Sequence, residues 1–188
     1  MTKHTYFRSR ILTVILLALL YSSQVSANQG MKIKDIHFDQ YLLTDSGELE
    51  LKGAGMLTWG ILIDLYAAAL YTSQDSAKQE RRLIIHYLVP VKVSQIRKTA
   101  EKFILEQQGE NRLEMIRPSL DRLHAAMHDV QPGDRYALTS TDQGEIKLEL
   151  NHQEVISLSD RILAESYMDI WLGQNPIDDK LRLSLIGQ

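Results

Sequence analysis

The chain has 188 residues, of which 44% are hydrophobic and 24% charged, the ordinary balance of a globular protein. Lys and Arg number 21 against 24 Asp and Glu, so the basic face that nucleic acid requires is not expected. The absence of cysteine excludes disulfides, thiol nucleophiles, thiolate zinc sites and iron–sulfur clusters.

The first 27 residues have the pattern of an export signal. Lys3, His4, Arg8 and Arg10 make a basic start, residues 11–21 are an uncharged apolar run, and Val25-Ser26-Ala27 offers a small-x-small cleavage site. The run is shorter than a membrane-spanning helix needs. Residues 1–27 are therefore expected to be removed, leaving one domain, 28–188, that starts at Asn28 in the periplasm or outside the cell. The alternative is an uncleaved N-terminal anchor. Lys3, Arg8 and Arg10 leave with the signal, so 18 basic residues face 24 acidic ones and the mature charge falls near −6. Arg81-Arg82 and Arg97-Lys98 are too short to form a basic patch and read as solvated surface.

Residues 28–34 read as a loose lead-in. Leu49 and Leu51 alternate with Glu and Lys as in a half-buried strand, which Gly53-Ala54-Gly55 interrupts. Residues 60–71 are the most apolar stretch of the mature chain, and their periodicity is ambiguous. Leu62, Tyr66, Ala69 and Leu70 fit a helical stripe. Ile61, Ile63, Leu65, Ala67, Ala69 and Tyr71 fit one strand face. The alanines favour helix by propensity alone. Residues 82–91 are β-branched and aromatic and read as a strand closed by Pro90.

Residues 93–108 place Val93, Ile96, Ala100, Phe103 and Ile104 on one helical face, with Gly109 as the stop. Asn111 and Glu114 are expected to cap a second helix with the stripe Leu113, Ile116, Leu120, Leu123 and Met127, kinked or restarted at Pro118. After the turn at residues 131–134 come three predicted strands, 135–141, 145–151 and 153–158, joined by hairpins. Ser159 is expected to cap a helix carrying Ile162, Leu163, Tyr167, Ile170 and Trp171, ended by Gly173. Asn175-Pro176 is expected to start a last short helix. Strands and helices thus occur in segregated runs, which predicts an α+β fold with an antiparallel sheet.

His124 and His128 have the i, i+4 spacing of metal ligands, but Ala125 stands where a zinc protease carries Glu, so a solvated helix face is expected and no metal site. No Gly-x-Ser-x-Gly elbow and no phosphate-cradling glycine loop is present. Trp59, Tyr66, Tyr71 and Trp171 are aromatic candidates for lining a small-molecule cavity or for filling the core.

Residues 53–71 (GAGMLTWGILIDLYAAALY), 130–136 (VQPGDRY) and 170–177 (IWLGQNPI) resemble the chalcone isomerase-like family, and most of all its exported bacterial branch. The likeness runs from about residue 36 to Gly187 and implies an antiparallel sheet covered on one face by helices, an open-faced sandwich with the ligand cleft between the layers. It makes residues 60–71 a long central strand, against their local propensity. It also implies where function departs. Ring-closing isomerases hold the developing phenolate with an Arg and a Thr, and fatty-acid-binding relatives keep the Arg and add a Tyr. Here the Arg position is Leu57 and the Thr/Tyr position is Tyr66.

The resemblance implies Leu57, Thr58 and Tyr66 as ligand-binding residues, no catalytic residue and no cofactor, and strand alternation adds Ala68, a small residue two positions on from Tyr66 on the same face. Arg97, Lys98 or Arg112 would have to reach in from the helices to replace the missing cation. The implied function is an exported, non-catalytic protein binding a small apolar or amphipathic ligand such as a fatty acid, without stable membrane insertion after signal cleavage. The first alternative is an accessory protein acting through an envelope protein partner. The second is an intramolecular lyase of the chalcone isomerase type.

Overall fold

The computed structural model describes residues 30–60, 62–75 and 78–188. The expected signal at 1–27 lies outside the described residues. Two short strands, β1 (Met31–Ile33) and β2 (Ile36–Phe38), pair with each other, so the expected loose lead-in is partly a strand. Then come β3 (Tyr41–Thr44), β4 (Gly47–Trp59), β5 (Ile63–Ser73) and β6 (Arg81–Tyr87). Two helices follow, α1 (Val93–Gln108) and α2 (Glu110–Ala126), then β7 (Arg135–Ser140), β8 (Glu145–Leu150) and β9 (Gln153–Ser159). The chain finishes with α3 (Arg161–Leu172) and α4 (Asp179–Leu185). Strands β3 to β9 form one antiparallel sheet in sequence order. The α1–α2 pair is an excursion between β6 and β7, which still pair with each other. The fold is α+β, as the sequence implies.

Strand β5 explains the ambiguous apolar run. Tyr66, Ala68 and Leu70 face the core under the helices. Ala67, Ala69 and Tyr71 face a second cluster with Ile36, Phe38 and Leu49 on the other side of the sheet. A strand buried on both faces loses its alternation and reads as a continuous apolar stretch. The strand starts at Ile63 rather than at residue 60, because Gly60 and Leu62 belong to the turn from β4. On the far side, beyond β1–β2, the sheet is polar: Arg82 donates to Thr139 Oγ1 (2.8 Å) and pairs with Glu149.

Residues 53–55 do not end β4; they change its register. The pairing steps from Leu51–Tyr71 to Gly53–Leu70, so Lys52 is an extra residue. One added residue flips every later side chain to the other face. Leu49 and Leu51 therefore join the outer cluster, whereas Leu57 joins the helix-side core. Gly53 and Gly55 lie under α4. A Cβ at Gly53 would come 2.0 Å from the Ser184 carbonyl oxygen, and one at Gly55 would come 2.8 Å from Ser184 Cβ. Ala68 pairs with Gly55. The small patch made by Gly53, Gly55 and Ala68 lets the last helix settle directly on the sheet.

Several expected boundaries shift by a residue or more. Strand β6 ends at Tyr87, before a bend that carries Pro90. Helix α2 begins straight after Gly109, whose φ of 81° makes the sharp joint from α1, and no side chain caps it. The Asn111–Glu114 cap is thus not formed. Pro118 produces no restart: it lies on the exposed side of one continuous helix, whose opposite face buries Leu113, Ile116, Leu120 and Leu123. Asp160, not Ser159, caps α3 by accepting from Leu163 N (3.0 Å). Asp178, not Asn175, caps α4 by accepting from Leu181 N (2.7 Å). In both cases the carboxylate stands at the position that reaches the third N–H of the helix.

Candidate functional site

Past the point where α4 meets the glycines, sheet and helices part. Between them lies a cavity of about 430 Å³, within the roughly 300–1,000 Å³ of small-molecule sites. The sheet gives Leu57 and Trp59 from β4, Leu65 and Tyr66 from β5 and Tyr87 from β6. Val89, Pro90 and Val91 come from the bend after β6. The helical side gives Gln95, Ile96, Thr99 and Ala100 from α1, Ile170 and Trp171 from α3, and Ile177 from the link to α4. A second register shift, between Leu57–Tyr66 and Thr58–Asp64, leaves Leu65 as an extra residue, and Leu65 and Tyr66 both line the space.

The helical wall is tied in place. Val91 and Val130 form an isolated bridge, and Asp129 accepts from the first N–H of α1 at Val93 (2.9 Å) and from Lys92 Nζ (2.7 Å). Lys92 and Val93 N–H hold the Asp129 carboxyl below the usual carboxylate range. The segment after α2 thereby fixes the start of α1, and with it Gln95, Ile96, Thr99 and Ala100.

At the inner end Trp171 Nε1 donates to the Tyr66 hydroxyl oxygen at 2.9 Å. Tyr66 meets Tyr87 edge to face at a centroid distance of 5.8 Å, and Tyr87 meets Tyr136 likewise at 6.2 Å. Burial drives the pKa of Tyr66 and of Tyr87 well up, so both phenols stay neutral. Among the described residues the lining carries no charged side chain. At the mouth Trp59 is 69% exposed, and the neighbouring turn exposes Leu62 as well.

Of the residues expected from the sequence, Leu57 and Tyr66 line the cavity together. Thr58 does not: it is exposed and donates to Asp64 Oδ1 (2.7 Å). Ala68 is fully buried one step deeper, in the seat of α4. Trp59 and Trp171 line the space, whereas Tyr71 lies in the outer cluster and donates to the Asp39 carbonyl (2.9 Å). Arg97, Lys98 and Arg112 do not line it; Arg97 donates to the Met127 carbonyl (3.4 Å). Sequence reasoning missed Tyr87 and the bend at 88–92. The signal available for that bend was Pro90, which marks a break in the chain but not what the break encloses.

The two histidines are separated. Helix α2 ends at Ala126, so His128 lies beyond it and is exposed. His124 is buried beside the Tyr167 ring at a centroid distance of 6.0 Å, with its Nδ1 3.6 Å from Glu101. Among the described residues no group of His, Cys, Asp and Glu is placed to hold a metal ion, and no helix is long and apolar enough to cross a membrane.

No curated protein matches the chain in sequence. Among solved structures it is similar to the fatty-acid binding protein AtFAP1 of Arabidopsis thaliana, at 16% identity and a TM-score of 0.62, over 84% of this chain and 95% of that one. At that identity the likeness speaks for the fold. The family comparison is direct: residues 30–187 match the chalcone isomerase-like family. With the meandering sheet, the helical cover and the cleft between them, this protein belongs to the chalcone isomerase-like family.

Proposed function

We propose that this protein binds, without chemical turnover, a small apolar or amphipathic molecule with an acyl chain, and that it does so outside the cytoplasm after loss of residues 1–27. The observation that carries the proposal is the open, apolar cavity of about 430 Å³ with no charged lining. A cavity of this kind suits a hydrocarbon chain, whose burial is favourable at about 25 cal/mol per Å². The fold shared with a plant fatty-acid binding protein supports the same ligand class. The absence of turnover draws on Leu57, which leaves a developing oxyanion no charged partner in the lining.

The test is displacement of a neutral solvatochromic dye by long-chain amphiphiles, with Ile96→Trp as the filled-cavity control. Saturable dye binding that Ile96→Trp abolishes, in a variant with unchanged circular dichroism, is the expected result. Dye binding unaffected by the tryptophan would reject the cavity as the site. Export is tested separately, by N-terminal sequencing of protein recovered from the cell envelope, where Asn28 is expected first. A retained Met1 in a membrane fraction would reject it.

A second reading, an accessory role through an envelope protein partner, draws on the β4–β5 turn. Trp59, Leu62 and Ile63 are exposed there together. A partner cross-linked through Leu62→Cys at this turn, and lost with Trp59→Ser, would favour that role.

A further inference from the structure

The cavity also says what the end of the ligand must be, on the assumption that it is a ligand site at all. The Tyr66 oxygen receives the Trp171 N–H, which fixes the phenol, and no described residue accepts the proton of Tyr66. The Tyr87 hydroxyl also makes no hydrogen bond among the described residues. The inner end therefore presents two unspent phenolic donors to whatever enters. Their protons stay in place, because burial disfavours both phenolates.

The surroundings decide which acceptor suits them. No Lys, Arg or His lines the space. Arg97, on the helix that forms one wall, is engaged with the Met127 carbonyl instead. The charge that acts on the Tyr66 hydroxyl is negative: Asp178, at the cap of α4, presses its pKa further up. An ionised carboxylate brought here would give up its hydration, find no countercharge and feel a carboxylate nearby. An uncharged carbonyl or hydroxyl oxygen gives up far less and gains a phenolic hydrogen bond.

We infer that the cavity selects an apolar chain ending in an uncharged oxygen acceptor (an ester, amide, ketone, aldehyde or alcohol) over the carboxylate of a free fatty acid, with Tyr66 as the specificity-determining donor.

The experiment compares methyl dodecanoate, dodecan-1-ol, dodecanoic acid and dodecane as competitors for the same neutral dye, on the folded chain from Asn28. Near pH 8 the ester and alcohol are expected to compete at least about tenfold better than the acid. Near pH 5, where a sizeable fraction of the acid is uncharged, that gap should narrow while dodecane stays constant. Tyr66→Phe should weaken the ester and alcohol about three- to tenfold and leave dodecane unchanged.

An acid that competes as well as the ester near pH 8 overturns the inference but leaves the cavity as a hydrocarbon site. An equal loss for dodecane in Tyr66→Phe overturns the role of Tyr66, because only packing would then have changed. If the dye is not displaced even by dodecane, the cavity itself is not the site and the underlying proposal fails with it.

Discussion

Trp171 and Tyr66 are 105 residues apart in sequence and share one hydrogen bond of 2.9 Å, from the indole N–H of α3 to the phenol oxygen of β5. The bond joins the two layers at the inner end of the cavity. Were Tyr66 only to orient a ligand, Tyr66→Phe would leave stability little altered. The structure adds a stability cost, because the indole N–H loses its acceptor. A loss of about 1–2 kcal/mol is expected, read as a lower urea midpoint at unchanged slope. An unshifted midpoint would mean that solvent replaces the phenol oxygen without penalty.

The contact between α4 and the sheet predicts a larger effect. Gly53→Ala places a methyl group 2.0 Å from the backbone oxygen of Ser184, where no side-chain rotation relieves the clash. The helix has to lift, at a cost of about 3 kcal/mol or more. Gly55→Ala meets mainly side-chain atoms of Ser184 and Leu181 and should cost less. Thermal melts of both variants measure the difference, and equal melting temperatures would contradict this seating of α4.

His124 predicts a pH dependence. Burial lowers its pKa to about 4, against the pull of Glu101 and Asp121 and with the push of Arg97 and Arg117. The folded pKa lies below the unfolded value, so between about pH 6.5 and 4 the unfolded chain holds more protons at this site. The contribution of neutral His124 is complete above that window and is lost as pH falls through it, to a total of up to about 3 kcal/mol. His124→Phe keeps a ring against Tyr167 and removes this part of the slope. Denaturation at a series of pH values compares the two; parallel curves would remove the assignment to His124.

Leu57 predicts two outcomes. The native protein should close the ring of a chalcone no faster than the spontaneous reaction, since one missing oxyanion donor alone costs about 100- to 1,000-fold. Leu57→Arg, at a lining position, should turn the headgroup preference toward dodecanoate. Absorbance of the chalcone and dye displacement read these directly. Native ring closure above background would show that some other group supplies the charge.

How far the sequence alone could go depended on how each element meets its neighbours. Helix α1 was legible to the residue, because one apolar face, one polar face and a glycine stop agree. The three late strands were legible because short turns bound them. Strand β5 was not legible from its own residues: both faces are covered, so neither period survives, and only the family likeness identified it. The Pro118 restart failed because packing along Leu113, Ile116, Leu120 and Leu123 outweighs one missing N–H on the exposed side. At the site, Tyr66 and Leu57 could be named from the family pattern. Ala68 was assigned by strand alternation, which locates a face but not which part of it a helix occupies. Nothing local to Trp171 indicated which hydroxyl its indole would meet.

The seat of α4 on Gly53 and Gly55 also bears on how the protein comes into being. The walls of the cavity are drawn from Leu57 onward to Ile177, and the last of them is held by a helix that follows it. A nascent chain still tethered beyond Leu172 has its strands and its first three helices, yet it lacks the Ile177 wall and α4. Domains generally complete themselves as units once their full length is free. The wall at Ile177 is therefore set only once α4 has seated on Gly53 and Gly55.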